Sequence, residues 1–79
     1  MELKDTIVLM SSEDYKERFK AEYYQTEIRY RKLMHMVRNW DDLGFAPTCD
    51  KSIYLAQLDI MNAYLGLLKY RALQEGVDV

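Results

Sequence analysis

Apolar residues recur along this chain at spacings of three and four, and they divide it into three stretches. Residues 1–10 carry Leu3, Ile7, Val8, Leu9 and Met10. Leu3, Ile7 and Met10 fall at helical spacing and predict a short amphipathic helix. Ile7-Val8-Leu9 also suits a short strand, because β-branched residues fit a pleated surface. Either way, so short an arm must dock on something to be stable.

Residues 11–40 predict a long first helix. Ser11-Ser12-Glu13-Asp14 reads as its start, with an acid three residues after a serine and acids in the first turn. Phe19, Tyr23, Thr26, Tyr30, Leu33, Val37 and Trp40 then form one stripe, broken only at Thr26. A second, partial stripe runs through Ala21, Tyr24 and Ile28. Residues 41–48 hold a glycine and the only proline, and predict the connecting loop.

Residues 49–75 predict a second helix, capped by Thr48 or Asp50 and closed by Gly76. Leu58, Met61, Leu65, Leu68 and Ala72 form its stripe. Tyr54, Ile60, Tyr64, Leu67 and Tyr70 widen that stripe beyond what one helix contact buries. Gly66 costs roughly 1 kcal/mol inside a helix, which points to close approach of another backbone. Residues 76–79 form a short tail. The expectation is an all-α antiparallel helical hairpin with a short N-terminal arm or helix, forming one domain over residues 1–79. Its surplus apolar face predicts a homo-oligomer, with an interface through Tyr24, Ile28, Tyr64, Leu67 and Tyr70.

Composition sharpens this picture. A chain of 79 residues buries a thin core, and chains of this size are usually stapled by disulfides, metal or subunit association. The single cysteine, Cys49, cannot form an internal disulfide, and no metal-ligand spacing surrounds it. Association is the remaining staple. The net charge of −2 argues against binding of duplex nucleic acid. No apolar run is long enough for a membrane span, and the N-terminus lacks signal-peptide character. A cytoplasmic protein with a reduced thiol is expected.

The polar chemistry concentrates on the first helix. Tyr15, Arg18, Glu22, Gln25, Arg29 and Lys32 share one face. Arginine pairs with phosphate through parallel hydrogen bonds, and tyrosine stacks on bases. The same face also reads as a plain solvated surface, with Arg18 and Glu22 as an ion pair. Residues 28–38 hold four cations and no acid. These cations could collect phosphate, or pair with Asp41, Asp42, Asp50 or Asp59. His35 has neither a catalytic partner nor a second metal ligand, and no triad or glycine-rich phosphate loop is present. The expectation is a binding protein with no catalytic residues, no metal and no cofactor.

The order of residues adds a resemblance. Tyr15-x-x-Arg18-x-x-x-Glu22, Lys32-Leu33 and Gln57-x-x-x-Met61-x-x-Tyr64-Leu65-x-x-Leu68-x-x-Arg71 resemble a family of very small phage helical hairpins. Glu2–Ile7, Asp14–Tyr23 and Pro47-Thr48-Cys49 share that likeness. The group is similar to anti-CBASS and anti-Thoeris phage proteins, which bind a host's cyclic nucleotide or cyclic ADP-ribose immune signals without cleaving them. The resemblance implies homo-oligomers, often hexamers, with pockets between subunits. It places Tyr15 and Arg18 near the pocket, with Arg29 or Lys32 as the phosphate partner; Glu22, on the same helix face, completes the candidate ligand-binding set. It also implies a phage anti-defence role in the cytoplasm of an infected bacterium. Two alternatives stand beside it, a phage inhibitor that binds a host defence protein directly (a CRISPR-type or other effector), and a structural or regulatory oligomer.

Overall fold

The computed structural model describes residues 1–79 and contains only helices. A 3-10 turn, Leu3–Thr6, leads into a single α-helical turn, α1 (Ile7–Met10). The long helices α2 (Tyr15–Arg38) and α3 (Lys51–Glu75) follow, with a 3-10 turn at Trp40–Asp42 between them. Helices α2 and α3 pack against each other as a hairpin, and the N-terminal turns pack on α2.

The arm is helical, but its inner face is not the Leu3–Ile7–Met10 face read from spacing. Thr6 is its fully buried residue, whereas Ile7 and Val8 point to water. The Thr6 hydroxyl donates to the Leu3 carbonyl at 2.7 Å and accepts from Gln25 Nε2 at 2.8 Å. That pairing makes burial of a polar residue tolerable. Ala21 and Ile28 flank Gln25 by one turn on either side, and both are buried. The stripe Ala21–Tyr24–Ile28 is therefore largely used within the protomer, beneath the arm.

Helix α2 begins later and ends earlier than the apolar pattern predicts. Its N-cap is Asp14, whose carboxylate accepts from the Lys16 amide at 2.9 Å. Ser12 lies outside the helix and accepts from the Asp14 amide. At the other end, the Asn39 side chain donates to the His35 carbonyl at 2.8 Å, and Trp40 belongs to the following turn. There the Trp40 ring lies 5.9 Å from that of Tyr54, with the Lys51 ammonium 5.8 Å from its centroid. Thr26, the polar break in the stripe, donates to the Glu22 carbonyl one turn back and so needs no outside partner.

Helix α3 is capped by Asp50 and not by Thr48. The Asp50 carboxylate accepts from the Ser52 amide at 3.1 Å and from the Ser52 hydroxyl. These hydrogen bonds hold its carboxyl below the usual range. Gly76 closes the helix at φ 69°, the left-handed conformation that glycine adopts without steric cost. The core joins Phe19 and Tyr23 of α2 to Leu65, Leu68 and Ala72 of α3, with Val77 from the tail. The guanidinium of Arg71 lies over the Phe19 ring at 4.6 Å and covers that end of the core.

Candidate functional site

The hairpin has one concave side. Its main hollow, about 540 Å³, runs between the helices and is open to solvent. Tyr23, Glu27, Tyr30 and Arg31 line it from α2, and Asn62, Leu65, Gly66 and Lys69 from α3. A second hollow of about 280 Å³ continues along the same side toward Arg38 and Asp59, and shares Tyr30 and Asn62 with the first. Together they make a groove along the hairpin.

Helical periodicity assembles it. Residues 23, 27, 30 and 31 cover two turns of one α2 edge, and residues 62, 66 and 69 do the same on α3. Tyr23 and Leu65 belong to the core and form the floor. Burial, then the neighbouring Glu27 carboxylate, push the Tyr23 hydroxyl up to about 12. Glu27 is paired with Arg31 at 3.4 Å. Lys69 makes no ion pair and no side-chain hydrogen bond, so its ammonium is free for an anion. Gly66 leaves a gap in the wall, because nothing stands within 4 Å of where its Cβ would be. Close approach of another backbone within the protomer, the reason expected for this glycine, is absent. Two rings, two cations, an amide and a carboxylate thus converge on one hollow. They can stack a planar group, hold an anion and read hydrogen bonds.

The face expected to bind ligand lies on the other flank of α2. Tyr15, Arg18, Glu22, Arg29 and Lys32 are all exposed there, but they do not form one continuous surface. Gln25, in their midst, is tied to Thr6 and to Met10 Sδ, so the arm crosses the face at that level. Arg18 Nη1 donates to the Ser12 carbonyl at 2.7 Å, and Arg18 and Glu22 form no ion pair. Glu22 instead accepts a hydrogen bond from the Tyr64 hydroxyl. Arg29 and Lys32 have no ionic partner, and neither does Arg38. None of Asp41, Asp42, Asp50 and Asp59 pairs with the cations of residues 28–38.

Of the residues expected at an oligomer interface, Ile28 is buried in the protomer at 4% exposure, and Tyr24 packs beside the core with its ring 5.6 Å from that of Tyr23. Tyr64, Leu67 and Tyr70 are exposed on α3. The groove was missed because Tyr23 and Tyr30 read as core stripe. The available signal was Asn62, Gly66 and Lys69, three non-apolar residues at helical spacing on a largely apolar helix.

The fold is thus a small helical hairpin with a ring- and cation-lined groove. The Sequestin family profile matches residues 13–74, and the chain belongs to that family. The matched segment contains α2, all of α3 but its last residue and the whole groove, and the family's name denotes sequestration, consistent with a protein that binds and holds a molecule. No curated protein and no solved structure matches the chain. No helix is long and apolar enough to cross a membrane.

Proposed function

We propose that the protein binds an anionic, nucleotide-type small molecule and withholds it without transforming it. The ligand class is a cyclic oligonucleotide or a cyclic ADP-ribose isomer that serves as a host immune signal, and the protein acts as a phage anti-defence factor in the cytoplasm of an infected bacterium. The observation that carries this reading is the groove, where unpartnered Lys69 and exposed Arg31 stand beside the Tyr23 and Tyr30 rings. A phosphate sits between the two cations, and a nucleobase packs against tyrosine and over the gap at Gly66. Sequestration requires affinity and abundance, and no turnover.

The protein works as a homo-oligomer, with Tyr15, Arg18, Glu22, Arg29 and Lys32 as the second candidate surface. Arg29 and Lys32, which have no ionic partner of their own, are the cations a neighbouring copy would bring to a shared pocket.

Isothermal titration with a panel of cyclic oligonucleotides and cyclic ADP-ribose isomers tests the reading, with ligand recovered after denaturation and checked for integrity. Saturable binding of an intact ligand, weakened by Lys69→Ala and Arg31→Ala, supports the groove. Loss through Arg29→Ala and Lys32→Ala alone moves the site to the other flank. Binding of none of these compounds contradicts the proposal and favours a protein target.

A further inference from the structure

Helix α3 carries a second apolar stripe that its own chain does not cover. Ile53, Ala56, Ile60, Ala63, Leu67 and Tyr70 follow one another at spacings of three, four, three, four and three. At 100° per residue this line lies roughly 170° around the helix from the buried stripe of Leu58, Leu65 and Ala72. All six residues are exposed, and Ile60 and Leu67 remain 71% and 61% accessible. No charged or polar residue interrupts the line except the Tyr70 hydroxyl. Such spacing is the seam of a two-helix coiled coil.

We infer that this seam docks α3 of a second copy of the chain, antiparallel, about a two-fold axis between Met61 and Asn62. The inference rests on the homo-oligomer proposed above, and its test needs no ligand. The argument for a second copy is self-complementarity. In the antiparallel register Ile60 faces Ala63 of the partner subunit, Ala56 faces Leu67 of the partner subunit, and Ile53 faces Tyr70 of the partner subunit. The two central kinds of layer each set a large side chain against a methyl, which fills space evenly and lets the helices approach closely. Parallel pairing would stack alanine on alanine and isoleucine on isoleucine, alternating gaps with crowding.

Charge agrees. The charged residues beside the seam are Asp59 and Arg71, and the antiparallel register sets Asp59 opposite Gly66 of the partner subunit, so like charges do not meet. Extent agrees as well. The seam runs about 26 Å along the helix. Its four large residues are each more than half exposed. Tyr64 and Leu73 extend the exposed apolar face beside it, and specific interfaces begin at roughly 600 Å² per partner.

The test uses the full chain. Sedimentation equilibrium should show an even-numbered assembly, and Ile60→Lys or Leu67→Lys should weaken it by more than about 30-fold. Because both positions face solvent in the protomer, helix content by circular dichroism should be unchanged. Register is read by cysteine pairing in a Cys49→Ser background. A mixture of Ile60→Cys and Ala63→Cys chains should oxidise to the mixed disulfide dimer, and neither chain alone should cross-link to itself efficiently. A monomer up to about 100 µM overturns the inference, as does an assembly indifferent to both lysine variants. Same-residue cross-links in place of mixed ones also overturn it, because they report parallel pairing.

Discussion

The Tyr64 hydroxyl on α3 donates a hydrogen bond to the Glu22 carboxylate on α2, and this is the one side-chain hydrogen bond between the two long helices. It pushes the Tyr64 hydroxyl up, chiefly through that hydrogen bond and then through partial burial. Apart from Arg71 over the Phe19 ring, the hairpin is held by apolar contact, which is non-directional and permits sliding. This pair sets how the helices align and therefore which residues of each edge meet across the groove.

Tyr64→Phe should lower stability by roughly 0.5–1 kcal/mol in urea denaturation, the ordinary net value of a hydrogen bond at a partly exposed position. Glu22→Gln, which keeps an acceptor, should lower it less. Equal losses from both variants would show that the hydrogen bond stabilises only with a charged acceptor.

Adjacent leucines on α3 should behave oppositely. Leu68 is 2% exposed and sits in the core, so Leu68→Ala should cost about 2–5 kcal/mol, enough to unfold much of so small a protein. Leu67→Ala should leave the thermal stability of the dilute protomer within about 0.5 kcal/mol. Thermal melts at low protein concentration separate the two.

Gly66→Ala should raise stability while weakening ligand binding. Alanine is favoured over glycine in a helix by about 0.8–1 kcal/mol, and nothing in the protomer crowds the new methyl. The methyl would, however, project into the hollow. Paired melting and titration experiments check both signs. Tighter or unchanged binding in the variant would remove Gly66 from the site.

Alkaline pH should destabilise the fold through Tyr23. Its hydroxyl is raised from the ordinary value of 10.0 to about 12, so the native state favours the neutral phenol. That contribution is fully present below pH 10 and is lost as pH climbs through about 12. Tyrosinate absorbance should show a late-titrating fraction that shrinks in Tyr23→Phe, leaving the part that belongs to Tyr64. A titration in which that variant leaves the late fraction intact would contradict the assignment.

The hairpin was legible in the sequence because burial follows simple periodicity. Leu58, Leu65, Leu68 and Ala72 lie inside, as their spacing requires, and Gly76 ends α3 as glycine usually does. Local competition between caps was not legible. Asp14 and Asp50 took the N-cap positions in preference to Ser11 and Thr48, where each accepts from the amide two residues on. The arm misled for a related reason, since Thr6 went inside to meet Gln25 while Ile7 stayed out. The groove depended on which flank of α2 faces which flank of α3, a tertiary fact that spacing on either helix alone does not carry. Tyr15, Arg18, Glu22, Arg29 and Lys32 share a face by spacing and are exposed, but spacing could not show the arm crossing that face.

Native mass spectrometry of the purified protein, with and without cyclic oligonucleotides and cyclic ADP-ribose isomers, tests the central claim most directly. The proposal predicts an assembly of several copies that retains one of these ligands, chemically intact, at fixed stoichiometry, and loses it in Lys69→Ala. An assembly that retains none of them, or that releases a cleaved product, would contradict sequestration.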